Sequence, residues 1–106
     1  LEFANRDTWN TGLDDDTRKG FQVLKLFKEH GFEGEIGIGV SDVHVNEIES
    51  PELIRDRILY AAKALGDPTK IYVNPDCGLR PRTREVSFVK IRSIVKGAEL
   101  ARKAVE

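Results

Sequence analysis

The sequence predicts an α/β fold in which parallel strands alternate with helices along the chain. Short β-branched runs and apolar stretches with helical spacing alternate three times, and each helical stretch is long enough to return the chain across a sheet. A strand followed by such a crossover runs parallel to the next strand. The 106 residues therefore divide into three strand–loop–helix units.

The first unit begins at residues 1–4, which we interpret as the tail of a strand. A polar loop over residues 5–13 leads to residues 14–17, three aspartates and a threonine. An aspartate can cap a helix there, and acidic charge suits the positive end of the helix dipole. Gly31 is the expected end of this helix. The apolar residues at helical spacing are Phe21, Val23, Leu24 and Phe27.

The second unit has a strand at residues 35–40, where β-branched residues alternate with glycines that let neighbouring backbone approach closely. Ser50 followed by Pro51 predicts the start of a helix, with serine as its cap and proline in its first turn. Gly66 and Pro68 predict its end. The expected buried stripe is Ile54, Ile58, Ala61, Ala62 and Leu65.

The third unit has a short apolar strand at residues 70–73 and a final helix that Thr83 can cap. Lysine and arginine are frequent towards the end of this helix, as its dipole favours. The expected buried residues of the helix are Val86, Val89, Ile94, Val95, Ala98, Ala101 and Val105.

Composition indicates a soluble globular chain, with 40% hydrophobic and 33% charged residues. The 17 basic and 18 acidic residues leave a net charge of −1, so nucleic acid is not an expected partner. No apolar run approaches the roughly 18 residues that a membrane span needs, so no membrane association is expected. A single cysteine cannot form an internal disulfide, which favours a cytoplasmic location. The absence of methionine predicts a processed chain or part of a longer one.

Chemically reactive side chains follow each predicted strand. Glu2 belongs to the first strand, Asp42 and His44 follow the second, and Cys77 follows the third. The carboxyl ends of parallel strands share one edge of a sheet, which is where α/β folds place their chemistry. Carboxylate, imidazole and thiolate are ligands of zinc and agents of acid–base catalysis.

Each of these residues also has a purely structural interpretation. Cys77 can be a small buried hydrophobic residue, and His44 can bond a loop carbonyl. Asp42, two residues before His44, can either orient the imidazole or stabilise the turn. Glu2 can be an ordinary solvated side chain.

The segments 42–44 (Asp-Val-His) and 74–79 (Asn-Pro-Asp-Cys-Gly-Leu) resemble the C-terminal catalytic domain of cobalamin-independent methionine synthase, in its short single-domain form. The resemblance extends along the whole chain. It implies a zinc-containing (β/α)₈ TIM barrel, of which residues 1–106 form a C-terminal fragment with strands six to eight and their helices. A complete barrel takes about 250 residues.

The resemblance also implies roles for the four residues. Cys77 and Glu2 correspond to zinc ligands, His44 corresponds to the catalytic histidine that protonates the leaving group, and Asp42 is its neighbour in the site. The family's other two ligands form a His-x-Cys pair, which this chain lacks. Two ligands cannot complete a tetrahedral zinc site.

The implied reaction transfers a methyl group to the thiol of homocysteine and produces methionine. The implied methyl donor is a polyglutamylated methylfolate or a methylcorrinoid protein, and the missing N-terminal half of the barrel is the implied partner of a chain inactive by itself. Two alternatives stay open from sequence. One is a self-associating α/β module that binds a small ligand, and the other is a related barrel enzyme, a corrinoid-linked methyltransferase or uroporphyrinogen decarboxylase.

Overall fold

Two parallel strands, each followed by a helix, form the main body of the structure. The computed structural model describes residues 2–14, 17–31, 33–79 and 82–105. Its elements in chain order are α1 (Leu24–Glu29), β1 (Ile36–Ser41), α2 (Pro51–Leu65), β2 (Ile71–Pro75) and α3 (Arg84–Val105). Short 3₁₀ turns lie at Ala4–Arg6, Lys19–Phe21 and Pro68–Lys70. No helix in the described ranges combines the length and apolar character that crossing a membrane requires.

Strands β1 and β2 pair in parallel, as the sequence predicts for consecutive βα units. Ile36 lies opposite Ile71 and Gly39 opposite Asn74, with an irregularity between Gly39 and Ser41. A Cβ at Gly37 would lie 2.4 Å from Nδ2 of Asn74. Gly37 therefore makes room for the Asn74 side chain of β2. The sequence had instead predicted a close approach of neighbouring backbone.

Helix α2 confirms the predicted boundaries of the second unit. The Ser50 side chain accepts the N–H of Leu53 at 3.1 Å, and Pro51 is the first helical residue. Gly66 ends the helix in a left-handed conformation, with φ of 90°. Ile54, Ile58, Ala61 and Leu65 of the predicted stripe are buried, and Ala62 is partly buried.

The hydrophobic core lies between the sheet and the helices. Ile38 and Val40 of β1 are fully buried, together with Ile54 of α2. Phe3 and Phe21 extend the core towards the chain start, with ring centroids 5.2 Å apart. Residues far apart in sequence thus hold the first segment against the sheet.

Helix α3 begins as predicted, but its buried side differs from the prediction. The Thr83 hydroxyl accepts the N–H of Val86 at 3.2 Å, which confirms the cap. Of the predicted buried residues, Ile94 and Ala101 are buried, Val86 and Ala98 are partly buried, and Val89, Val95 and Val105 are exposed. Lys90, Ser93 and Gly97 are buried instead. Lys90 and Ser93 bond to the loop that precedes α2, and Gly97 packs against α2 itself. The apolar residues of α3 therefore form a wider face than α2 and a two-stranded sheet can bury.

The predicted first strand is absent from the described residues, which contain two strands. Phe3 lies outside any strand, Ala4 enters a 3₁₀ turn, and Leu1 lies outside the described residues. The N–H groups of Phe3 and Ala4 both donate to the carboxylate of Asp76. These donors are therefore unavailable to a strand ladder, which is why the strand prediction was wrong here.

Helix α1 is also shorter than predicted, because it begins at Leu24 instead of near the aspartate run. Asp15 and Asp16 of that run lie outside the described residues. A Cβ at Gly20 would lie 2.8 Å from the carbonyl carbon of Arg6, so the backbone at position 20 packs tightly on the first segment. This contact favours the 3₁₀ turn over a continuous helix. The predicted end at Gly31 agrees with its φ of 69°.

Gly97→Ala is expected to lower the free energy of unfolding by about 1–3 kcal/mol, the usual cost of overpacking. A Cβ at position 97 would lie 2.4 Å from Cγ2 of Ile54 and 2.9 Å from the carbonyl oxygen of Pro51, so α2 and α3 must separate. This clash opposes the roughly 1 kcal/mol by which alanine normally stabilises a helix over glycine.

Urea denaturation measures this effect, with Gly78→Ala as the matched control. No described atom lies within 4 Å of a Cβ built at Gly78. A Gly97→Ala variant as stable as the wild type, or more stable, would contradict the close contact between the helices.

Candidate functional site

The side chains of Glu2, His44 and Cys77 converge at the carboxyl end of the sheet. One donor atom from each lies within 4.8 Å of the other two, and Nε2 of His44 is 3.1 Å from Oε1 of Glu2. All three residues are exposed, with 54% of the His44 side chain and 47% of the Glu2 side chain accessible. Three of the four residues singled out from sequence thus share one surface site.

Cys77 is positioned by the end of strand β2. The strand stops at Pro75, and the N–H of Asp76 then donates to the carbonyl of Ser41 at 2.9 Å. This bond continues the contact between the two chain segments just beyond the paired strands. Cys77 follows directly, so its position is tied to the end of β1 as well as to β2.

His44 lies on the loop that follows β1, and Asp42 shapes its turn. Oδ1 of Asp42 accepts the backbone N–H of His44 at 2.9 Å, and the Asp42 residue is buried. Of the two roles considered for Asp42, this contact is the turn-stabilising one. The imidazole itself faces Glu2.

The buried carboxylate of Glu49 binds the start of the loop that carries His44. Its two oxygens accept the N–H of Asp42 at 2.7 Å, the hydroxyl of Ser41 at 3.1 Å and Nη1 of Arg57 at 2.9 Å. Nζ of Lys90 lies 3.4 Å away and also donates to the carbonyl of Asp42 at 2.8 Å. Sequence reasoning missed Glu49, Arg57 and Lys90, because no local pattern joins residues 41 positions apart.

Arg57 extends this network to the segment that follows Glu2. Its Nε donates to Oδ2 of Asp7 at 2.8 Å, and Nη2 donates to the carbonyl of Thr8 at 3.1 Å. Arg18 pairs with the same Asp7 oxygen at 2.7 Å. Burial raises the pKa of Asp7 although both guanidinium groups act in the opposite direction. Buried charged groups from three segments of the chain, Asp7, Arg18 and Arg57, therefore pack together.

The electrostatic environment of Cys77 is negative. Loss of hydration, followed by the charges of Glu2, Asp76 and Asp42, raises the pKa of the Cys77 thiol above its ordinary value. Burial, together with the charge of Asp42, raises the pKa of Asp76, and backbone N–H donors oppose this shift. Such a collection of acidic groups disfavours a thiolate unless a cation is bound.

The donor set fits Zn²⁺. Carboxylate oxygen, imidazole nitrogen and cysteine sulfur are the ligands that zinc uses in proteins. The ligand atoms of Glu2, His44 and Cys77 lie close enough together to share one ion. Their exposure also leaves space for further ligands.

Alkylation of the metal-free chain by iodoacetamide is expected to give an apparent pKa for Cys77 above the ordinary value of about 9. The thiolate is the reactive species, so the rate rises as the thiol ionises. Glu2→Gln is expected to lower this pKa because it removes a neighbouring negative charge. Glu33→Gln, at an exposed position outside the site, is the control. An unchanged pKa in Glu2→Gln would contradict the proximity of the two side chains.

Comparisons with known proteins agree with the resemblance drawn from sequence. The sequence profile of the family described as "Cobalamin-independent synthase, Catalytic domain" matches residues 14–100. The methionine synthase of Thermoplasma acidophilum is 52% identical over 99 residues, covering 90% of this chain and 29% of that protein. The methionine synthase of Saccharolobus solfataricus is 34% identical over 86 residues, covering 81% and 26%.

A solved structure is similar in fold as well. It is a B12-independent methionine synthase from Shewanella sp. W3-18-1 in complex with selenomethionine, with a TM-score of 0.72 and 28% identity. The match covers 80% of this chain and 24% of that one. The chain thus spans less than a third of the length of the relatives that it matches. Because the family profile covers most of its residues, the chain belongs to the catalytic-domain family of the cobalamin-independent synthases.

Proposed function

We propose that this chain carries part of the active site of a zinc-dependent methyltransferase that methylates the thiol of homocysteine to give methionine. The convergence of Glu2, His44 and Cys77 at one end of the sheet carries this proposal. Family membership supports it, since the relatives that match most of the chain are named methionine synthase. It also favours this function over the other barrel enzymes considered from sequence.

Cys77 and Glu2 are the proposed zinc ligands of this chain. Both side chains are exposed and lie beside each other, and both are anionic when they bind a cation. Zinc held by these residues would lower the pKa of the homocysteine thiol, so that its thiolate, the nucleophile, would be available at neutral pH. A tetrahedral site needs further ligands, which we assign to residues outside this chain.

His44 is the proposed acid that protonates the leaving group of the methyl donor. Its Nε2 faces the carboxylate of Glu2 at 3.1 Å, so a proton can be held at this nitrogen on the side of the metal ligands. The backbone of His44 is held by Asp42, and the ring remains exposed to an incoming donor. We therefore assign Asp42 a supporting role, in which it orients the loop that carries the catalytic imidazole.

The remainder of a (β/α)₈ barrel is the proposed partner that completes the site. The chain spans 29% of the Thermoplasma acidophilum relative, whereas a barrel takes about 250 residues. Strand β2 is at the edge of the described sheet and its Tyr72 is exposed, as are Val95 and Val105 of α3. These apolar surfaces are the ones that neighbouring strands and helices of a barrel would cover. On this view residues 1–106 supply the C-terminal part of the barrel, including the two βα units built on β1 and β2.

A chimera tests the proposed function directly. In it, this chain replaces the matching segment of the Thermoplasma acidophilum methionine synthase. We expect the folded chimera to bind zinc and to convert homocysteine to methionine with either a methylfolate or a methylcorrinoid protein as donor. We expect the isolated chain to be inactive. The parent enzyme is the control for assay conditions.

The outcomes of this experiment are distinct. Turnover that stops on chelation and returns with zinc supports the proposal, and the donor that is used identifies the methyl source. A folded chimera that lacks activity while the parent is active would refute the assignment of this chain. Full turnover after complete removal of metal would refute the zinc requirement.

A further inference from the structure

A single buried carboxylate binds the first segment of the chain. Oδ1 of Asp76 accepts the backbone N–H groups of Phe3 at 3.1 Å and Ala4 at 2.9 Å, and Oδ2 accepts the N–H of Asn5 at 2.7 Å. Hydrogen bonds to an ionised carboxylate are roughly twice as strong as those between neutral groups. Three successive backbone donors on one side chain therefore fix the position and direction of this segment.

Asp76 is itself fixed beside the candidate metal ligands. It is buried, and its own N–H donates to the carbonyl of Ser41 at 2.9 Å. Cys77 follows Asp76 in sequence, and Glu2 precedes the segment that the Asp76 carboxylate binds. One residue thus connects the backbones from which both candidate ligands project.

We propose that Asp76 is a positioning residue for the metal centre, which holds Glu2 at the distance from Cys77 that metal binding requires. The proposal rests on the proposed role of Glu2 as a ligand. It assigns a function to an aspartate that is not one of the three converging donors and whose carboxylate instead accepts backbone N–H groups of the first segment.

Other contacts hold the first segment on the fold without orienting Glu2. The ring of Phe3 packs on Phe21, and Ala4 is buried. Glu2 itself is exposed, and its carboxylate contacts His44, which is also exposed. Loss of the Asp76 carboxylate is therefore expected to leave the segment attached by its apolar side chains while Glu2 loses its fixed position.

A double-mutant cycle in the chimera separates positioning from other effects of Asp76. Cobalt(II) is the probe, since its thiolate bands report metal bound at the cysteine ligands of the site, of which Cys77 is one. We expect Asp76→Ala to weaken cobalt binding about 10- to 100-fold, the range for removing a residue that orients a metal ligand. In the Glu2→Ala background, the same substitution is expected to have almost no further effect, because there is no ligand left to position.

Asp42→Asn is the matched control for charge. Asp42 is also buried and also contributes negative charge near Cys77, but its carboxylate bonds to His44 and not to the first segment. If Asp76 acts only through its charge, its substitution and Asp42→Asn should weaken cobalt binding by similar factors. Each factor should also be the same in the presence and in the absence of the Glu2 side chain. That result would overturn the proposal.

Amide hydrogen exchange of the metal-free chain provides a second measurement. We expect the N–H groups of Phe3, Ala4 and Asn5 to be protected in the wild type. In Asp76→Asn, Oδ1 remains as a neutral acceptor but the acceptor of Asn5 is lost, so the N–H of Asn5 is expected to lose most of its protection and those of Phe3 and Ala4 a part of theirs. Unchanged protection would overturn the positioning role whether or not metal binds. Should Asp76→Ala fail to fold, Asp76→Asn takes its place in the cobalt cycle.

The two proposals fail in different ways. If the wild-type chimera binds no cobalt and has no activity, the proposed function fails. If the wild-type chimera binds cobalt and is active but the cycle is additive, the proposed function stands and the positioning role of Asp76 fails.

Discussion

Cys77→Ser is expected to remove most of the zinc from the chimera and to abolish methyl transfer. A serine hydroxyl does not ionise near neutral pH, so it replaces an anionic sulfur ligand with a neutral oxygen. The loss of metal affinity should exceed the loss of about 10- to 100-fold that results when only a residue supporting a ligand is changed. Metal analysis after gel filtration and single-turnover methylation of homocysteine measure the two effects.

His44→Asn is the matched comparison, because it alters the third member of the same cluster. If His44 is the acid, this variant keeps its zinc while the rate falls by about 10²- to 10⁴-fold, the usual contribution of general acid–base catalysis. Loss of zinc in His44→Asn would instead make His44 a ligand. Full zinc occupancy in Cys77→Ser would contradict the ligand role of Cys77.

Glu49→Ala is expected to reduce the free energy of unfolding by about 3–5 kcal/mol, the cost of breaking a buried ion pair by removing one partner. Glu49 is 1% exposed, and Arg57 and Lys90 are fully buried beside it. Without the carboxylate, Lys90 loses its acidic partner in the interior, Arg57 keeps only Asp7, and the N–H of Asp42 loses its acceptor. A domain of ordinary stability, about 5–15 kcal/mol, would lose a large part of its margin.

Urea denaturation of the chain measures this loss, with Glu47→Ala as the matched control. Glu47 is an exposed glutamate on the same loop, so its substitution should stay within about 0.5 kcal/mol of wild type. Glu49→Gln keeps oxygen as an acceptor and is expected to fall between the two, which preserves a measurement if the alanine variant does not fold. A Glu49→Ala variant as stable as Glu47→Ala would show that the ion network does not stabilise the fold.

The second βα unit shows how far local sequence signals extend. Ser50 and Pro51 start helix α2, Gly66 ends it, and both boundaries appear in the structure as predicted. Each of these signals acts on backbone within a few residues of itself, through a cap, a fixed φ or a left-handed turn. Such features can be recognised without knowledge of the tertiary fold.

The first unit shows where those signals fail. Residues 1–4 suggest a strand, but the backbone donors of Phe3 and Ala4 bind Asp76, more than 70 positions away in the sequence. Residues 14–17 suggest a helix cap, but Gly20 packs against the backbone of Arg6. In both places a long-range contact outweighs the local preference.

The candidate site divides in the same way. His44 and Cys77 could be named from sequence because they follow apolar strands, whose carboxyl ends meet at one edge of a parallel sheet. Their convergence with Glu2 is visible only in three dimensions. Asp76 follows the same strand as Cys77, but its bonds to the backbone of residues 3–5 are visible only in the structure. Glu49 carries no local signal that distinguishes it from a solvated acidic residue.

The sequence by itself determined the α/β class, the parallel pairing of the strands after residue 35, the boundaries of α2 and the chemical types of the candidate ligands. These follow from periodicity, caps and the position of polar residues at strand ends, all of which are local properties. Only the tertiary structure decided which backbone donors remain for a ladder, which face of α3 is buried and which carboxylates support the site. Those outcomes depend on groups brought together from distant parts of the chain, where a buried donor or charge must find its partner.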